Sequence, residues 1–144
     1  MSYSAIRNCP SCGKPNRIPA RYLASSGRCG SCKAALPPLR EPLDVDEQAF
    51  NQIIQEATVP VLVDFWASWC GPCLAAGPEV HALAAEMAGK AVFLKVNTEQ
   101  NENLAARYGI QSIPNFVVLR QGKVVSQRAG FGGRADLRRW LLAA

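Results

Sequence analysis

Six cysteines stand in the chain as three pairs, each with two residues between partners: Cys9/Cys12, Cys29/Cys32 and Cys70/Cys73, with none left over. Two intervening residues allow both sulfurs of a pair to meet one metal ion or to close a disulfide with each other. The N-terminus MSYSAIRNCPSC has no apolar stretch of a secretory signal, so a reducing compartment is expected. In that setting metal binding or redox catalysis is the expected use, not a disulfide framework.

Sixteen residues separate Cys12 from Cys29, which fits the spacing of a four-thiolate zinc ribbon. Gly13 and Gly30 beside the pairs suit tight backbone turns around an ion. Four thiolates leave Zn²⁺ no open position for water, so the site reads as structural; the competing uses are two redox disulfides or free thiols. Zinc binding on the order of 10 to 16 kcal/mol could fold a segment with too few apolar residues to fold alone.

The third pair lies in Trp69-Cys70-Gly71-Pro72-Cys73, between an apolar run and a helical pattern. There Cys70 precedes the first helical turn, where unpaired amides and the positive end of the helix dipole favour thiolate over thiol. Cys70 is thus the expected nucleophile, and Pro72 fits an early helical position that turns Cys73 back beneath it to act as resolving thiol. Asp64 interrupts Val61-Leu62-Val63-Asp64-Phe65-Trp66, and alternation sets it on the face of Leu62 and Trp66. Burial there would raise its pKa and suit it to proton exchange with Cys73; Lys95 on the next strand could lie across the sheet from it. The competing reading of Asp64 is a structural ion pair or a solvated edge face.

The elements that must position these residues follow from period and punctuation. Residues 37–42 fall in a stretch with three prolines and read as a linker between a first unit, 1–36, and a second, 43–144. The second unit alternates: a helix over 46–57 begun by a capping box of Asp44 and Glu47, a buried strand over 59–67, and a helix to about 88 with Pro78 inside it. A strand over 91–96, a short helix over 101–108, strands 115–120 and 123–128 joined by Gln121-Gly122, and a helix over 135–142 complete it. This order implies an α/β fold with a central mixed sheet and helices on both faces. His81, with no second ligand nearby, reads as a surface residue.

Composition sets limits. With 49% hydrophobic and 19% charged residues in 144, the chain can bury a core, and no apolar run reaches the 18 to 20 residues of a membrane span. The net charge is +5, and the first 42 residues hold seven basic side chains against Glu41 alone. Four thiolates around Zn²⁺ would subtract two charges, and Tyr3 and Tyr22 are the aromatics there. The basic side chains therefore read as a solvated surface with a docking or stabilising role, and nucleic acid is not an expected partner. The location expected is cytoplasmic.

WCGPC after VDFWA, then Lys95-Val96-Asn97, Tyr108-Gly109-Ile110, Ser112-Ile113-Pro114 and Gly130, resembles the thioredoxin family over 43–144. The first 42 residues, with two CxxC pairs and Asn16-Arg17-Ile18-Pro19, resemble the zinc-binding extension of bacterial thioredoxins of the second type. The resemblance implies the thioredoxin fold preceded by a zinc-ribbon domain with Zn²⁺ on Cys9, Cys12, Cys29 and Cys32. It implies Cys70 as attacking thiol, Cys73 as resolving thiol, Asp64 as buried carboxylate and Lys95 as its partner. By the same resemblance Trp69, Gly71 and Pro72 shape the site, the Ile113–Pro114 bond is cis and faces the disulfide, and Gly130 leaves room for substrate. Leu74 and Asn115 depart from the pattern, where a basic residue and a threonine are common.

The expected activity is protein-disulfide reduction with a structural or regulatory zinc site, and the resemblance implies a flavin-dependent reductase drawing on NADPH that restores the dithiol. No flavin or NADPH is expected on this chain, which lacks a glycine-rich nucleotide loop. The alternatives are a non-catalytic zinc module that docks a protein or nucleic acid, and a net oxidant or isomerase.

Overall fold

The computed structural model describes residues 3–144. Its longest strands are its most β-branched segments. β6 (Val61–Trp66) lies at the centre of a five-stranded sheet between β7 (Val92–Asn97) and β8 (Asn115–Arg120). The short β5 (Leu43–Asp44) and β9 (Lys123–Ala129) form the edges, giving the order β5-β7-β6-β8-β9. β5, β7 and β6 run parallel and β8 and β9 antiparallel to their neighbours, so the sheet is mixed. Gln121 and Gly122, with φ of 52° and 78°, form the tight β8–β9 hairpin that positive φ at both central residues permits.

Alternation along β6 divides the core. Val61, Val63 and Phe65 meet Phe50, Ile53 and Leu104 from α1 (Glu47–Glu56) and α3 (Glu102–Arg107). Leu62 points the other way, to Val80 and Leu83 of α2 (Gly71–Glu86) and Leu137 and Leu141 of α4 (Arg134–Ala143). Helices thus cover both faces, and Asp64 shares the face that α2 covers. Trp140 of α4 is half-buried, and its Nε1 donates to Ser126 Oγ at 2.8 Å.

The first residues form two short hairpins, β1 (Ser4–Asn8) with β2 (Pro15–Pro19) and β3 (Gly27–Arg28) with β4 (Ala35–Leu36). A 3₁₀ turn (Ala20–Tyr22) joins them. Ala5, Ala20 and Leu23 from this part enter the same core as Phe50 and Ile53. Leu39, in the proline-rich stretch, is buried there too, and its amide donates to the Leu23 carbonyl at 2.8 Å. Residues 37–42 are therefore an anchored strap and not a free tether.

Two local readings need correction. α1 is capped by Asp46, whose carboxylate accepts from the Ala49 amide at 2.9 Å, while Asp44, expected to cap, sits in β5 beside Lys95. Sheet pairing by two residues leaves no periodic signal, which is why that strand was not foreseen. At the cysteine turns Gly13 adopts φ of 76°, but the matching position after the second pair is Lys33, at 68°, and Gly30 has no positive φ. The Lys33 ammonium donates to the Gly30 carbonyl at 3.1 Å, holding a conformation that a side chain rarely takes.

Candidate active site and metal centre

The apolar β6 ends at Trp66, and α2 starts five residues later, so the intervening turn delivers Cys70 to the N-terminus of α2 as its capping residue. Cys70 Sγ accepts from the Cys73 amide at 3.2 Å, which assigns the sulfur the role an N-cap oxygen usually plays. Pro72 lies in the first turn, where its missing donor leaves no intrahelical bond unmade. Cys70 and Cys73 are joined by a disulfide, with Cα atoms 5.3 Å apart.

Both cysteines are only 4% exposed, so burial does not separate their roles. Their positions differ: Cys70 Sγ faces the Cys73 amide and lies 3.8 Å from the Ile113 carbonyl oxygen, whereas Cys73 lies within the helix. Ile113–Pro114 is cis, and the Pro114 carbonyl accepts from the Gly130 amide at 2.8 Å. Gly130 is exposed with φ of 82°, and a Cβ built on it or on Gly71 would meet nothing within 4 Å. Trp69 is 69% and Leu74 55% exposed, an apolar rim on either side of the two sulfurs in sequence.

Six residues before Cys70, on β6, Asp64 is buried, and burial pushes its carboxyl up to about 7, against the pull of Lys95 and with the help of Asp44. Asp64 and Lys95 are register partners on parallel strands, as are Lys95 and Asp44. The Lys95 ammonium stands over the Trp66 ring, 4.5 Å from its centroid, and Asp64 Oδ1 has no protein hydrogen-bond partner among the described residues. Asp44 was read in the sequence only as a helix cap, because its strand was not foreseen. Asn115, noted only as a departure, is buried and accepts from Gln127 Nε2 at 3.2 Å. Gln127 Nε2 also donates to the Tyr108 carbonyl at 2.9 Å, fixing the strand that follows the cis proline.

The other four cysteines converge. Sγ atoms of Cys9 and Cys32 are 3.6 Å apart, those of Cys12 and Cys29 3.7 Å, and all four lie within 4.8 Å of one another. Tetrahedral zinc with bonds near 2.3 Å implies sulfur separations of about 3.8 Å, so the donor set fits such an ion. The two turns repeat one design. Gly13 and Lys33 amides close onto the Cys9 and Cys29 carbonyls, while amides of Ser11, Cys12 and Ser31 point at Cys9 or Cys29 Sγ at 3.3 to 3.4 Å. The Cys29 thiol is drawn down to about 6 by the Cys32 amide, then by the Asn16 side chain and the Ser31 amide. Asn16, which holds the second pair by donating to Cys29 Sγ and accepting from the Gly30 amide at 2.9 Å, was not marked as part of the site. An amide side chain in the sequence between the two pairs was the available signal.

Residues 41–143 match the protein-family model described as thioredoxin, and the chain is 40% identical over 133 residues to thioredoxin C-3 of Corynebacterium nephridii, covering 92% of this chain and 90% of that one. The chain belongs to the thioredoxin family. Residues 8–34 match the zinc-ribbon model described as thioredoxin 2, N-terminal. Thioredoxin 2 of Chlorobaculum tepidum is 44% identical over 87 residues, 60% of this chain and 80% of its own. A mutant thioredoxin from Halobacterium salinarum has a similar structure, with a TM-score of 0.67 at 30% identity, covering 72% of this chain and 90% of that one. The thioredoxin fold preceded by a zinc ribbon is thereby established, and the chain is a thiol-disulfide oxidoreductase. Among the described residues no helix is long and apolar enough to cross a membrane.

Proposed function

We propose that this thioredoxin reduces disulfides of protein substrates through Cys70 and Cys73. The observation that carries the reading is Cys70 Sγ at the N-cap of α2, accepting from the Cys73 amide and 3.8 Å from the Ile113 carbonyl. In the dithiol form the Cys70 thiolate attacks one substrate sulfur, forming a mixed disulfide and expelling the other sulfur as a thiolate that takes a proton from water. Cys73 then loses its proton to ionised Asp64 and attacks Cys70 Sγ. The second substrate thiolate leaves and takes a proton from water, Asp64 returns the Cys73 proton to water, and the protein keeps the Cys70–Cys73 disulfide. Counting the proton that Cys70 gave to water on ionising, two electrons and two protons pass from the dithiol to the substrate.

Asp64 is the proton acceptor in this scheme, and Lys95 a positioning residue that moderates its charge. Trp69, Gly71 and Pro72 form one side of the substrate site. The Ile113–Pro114 backbone offers an edge to an extended chain, and Gly130 leaves space beside it. A flavin-dependent reductase drawing on NADPH would restore the dithiol, with neither cofactor held by this chain. Cys9, Cys12, Cys29 and Cys32 would hold one Zn²⁺, which when bound closes both hairpin turns of a ribbon domain over 1–36, ahead of the strap at 37–42 and the catalytic domain at 43–144. Its four thiolates leave no position for substrate, so its role is structural. The working location is the cytoplasm, without membrane or nucleic acid as partner.

Insulin reduction tests the reading. Activity is expected in the wild type and lost in Cys70→Ser, while Cys73→Ser accumulates a mixed disulfide with its substrate on Cys70. Activity that survives Cys70→Ser would remove the assigned nucleophile.

A further inference from the structure

The extension carries a groove that the dithiol chemistry does not use. With a volume of about 490 Å³ it lies between the two hairpins and the strap, within the size range of ligand clefts. Its floor is apolar: Leu23, Leu36 and Leu39 are buried and Ile18 is half-buried. Tyr22, 49% exposed, flanks it, with the Arg21 guanidinium 5.0 Å from its ring centroid. Arg7, Arg28 and Arg40 also line the groove.

Among the described residues these arginines have no ion-pair partner, and Arg28 donates only to the Lys33 carbonyl, at 3.2 Å. Glu41 is the only acidic residue in the first 42, and every ion pair among the described residues joins side chains from Glu47 onward. An apolar floor with unpaired guanidiniums complements an occupant that is apolar in the middle and anionic at its ends. β1 and β3 each pair on one side only and both contribute lining residues, so each keeps an unpaired strand edge of the kind an extended chain can join. A fatty acid would fill the floor but bring one carboxylate to three arginines and nothing to the strand edges.

We propose that this groove docks an acidic segment of a partner protein, which lays one large apolar side chain on Leu23, Leu36 and Leu39 and sets flanking carboxylates against Arg7, Arg28 and Arg40. The location makes it a second contact, remote from the disulfide. A Cβ placed on Gly89, just beyond the C-terminal end of α2, would lie 3.6 Å from Pro38 Cγ and 3.7 Å from the Ala24 carbonyl, so the strap abuts the end of α2 opposite to Cys70. Sixteen helical residues separate those ends by about 24 Å. A client that holds both sites therefore needs about seven or more extended residues between its acidic segment and its disulfide. As a role in client selection, the proposal rests on the reductase reading.

The binding test does not need catalysis. The full-length oxidised protein is titrated by calorimetry with a cysteine-free dodecapeptide carrying Phe-Leu between runs of aspartate. Saturable micromolar binding is expected. It should weaken roughly tenfold in Arg7→Gln/Arg40→Gln, return in Arg7→Lys/Arg40→Lys, fall with added salt and be unchanged in Trp69→Ala. Circular dichroism and metal content of each variant establish that it folds. Absence of saturable binding, equal binding of the matched lysine peptide, or binding indifferent to the arginines would overturn the proposal. So would binding of laurate or of phosphatidylglycerol vesicles without binding of the peptide.

A disulfide substrate joined to the same peptide through ten residues should then show KM lowered about tenfold with kcat unchanged, and the arginine variant should lose that gain while reducing the unjoined substrate normally. An unchanged KM would refute client docking. Failure to reduce either substrate would instead count against the dithiol mechanism and leave the calorimetric result standing.

Discussion

Lys95 faces Asp64 in register across two parallel strands, yet its ammonium rests on the Trp66 ring, 4.5 Å from the centroid, and Asp64 Oδ1 is buried with no protein partner among the described residues. A fully paired carboxylate would stay ionised throughout the physiological range. This one does not, because burial outweighs the pull of Lys95 and Asp44 adds a like charge on the far side of the lysine. Asp64 is therefore poised to change charge near neutral pH, on the strand that leads into the turn of the Cys70–Cys73 disulfide.

That arrangement weakens the fold above neutrality. The folded carboxyl titrates at about 7, above its ordinary 3.8, so between those values the folded chain holds a proton that the unfolded chain has released. Stability from this group is fully present below about pH 4 and is lost as pH rises through 7. Asp64→Asn should leave the oxidised protein nearly unchanged at pH 4 and stabilise it by roughly 4 kcal/mol at most at pH 8. Urea unfolding at the two pH values measures this, and an equal effect at both would show that Asp64 titrates normally.

The same substitution should slow the second chemical step. On the proposed scheme ionised Asp64 takes the Cys73 proton, so release of substrate from the mixed disulfide should quicken in the wild type as pH passes through about 7. Asp64→Asn should lose that rising limb and slow release roughly 10²-fold or more at pH 8, with Cys70 alkylation unaffected. Rapid-mixing kinetics of a preformed mixed disulfide reads the step; an unaltered pH profile would place the proton elsewhere.

Metal should be coupled to the whole chain. Ala5, Ala20 and Leu23 share one core with Phe50 and Ile53, so loosening the cysteine turns exposes catalytic-domain side chains as well. Purified protein is expected to carry one zinc per chain, and removal by chelator should lower Tm in a single transition. Two independent transitions, with the catalytic one unmoved, would show that the shared core carries no coupling. Leu23→Ala should destabilise by about 2 to 5 kcal/mol with zinc bound, because it leaves a cavity in that core.

The rim should act on binding more than on chemistry. Trp69 and Leu74 are exposed apolar side chains flanking the disulfide in sequence. Trp69→Ala should raise KM for insulin several-fold while changing kcat little, whereas Leu74→Lys should favour acidic substrates over basic ones. Steady-state kinetics on a pair of peptides of opposite charge separates the two effects.

The long elements were legible because each has a strong period or a hard stop. β6 is a dense β-branched run, α2 opens on Cys-Gly-Pro-Cys and gives way to Gly89 at φ of 84°, and Gln121-Gly122 marks its hairpin. The cysteines announced themselves by spacing alone. What stayed hidden depends on partners distant in sequence. β5 is two residues long and exists because Leu43 and Asp44 meet Leu94 and Lys95; without it the capping role fell to Asp44 and the charge beside Lys95 went unseen. Asn16 is an ordinary polar residue until the second hairpin brings Cys29 and Gly30 to it. The proline stretch read as a linker, and the burial of Leu39 with its bond to the Leu23 carbonyl shows it to be held.

The placement of Cys70 at the α2 N-terminus is tested most directly by alkylating the reduced, metal-loaded protein with iodoacetamide at pH 7 and following each cysteine by mass spectrometry. Cys70 should react roughly tenfold or more faster than Cys73 and than a free cysteine of the unfolded chain, with the four ribbon cysteines protected. Equal rates at Cys70 and Cys73, both matching the unfolded chain, would contradict the assignment of Cys70 as the attacking thiolate.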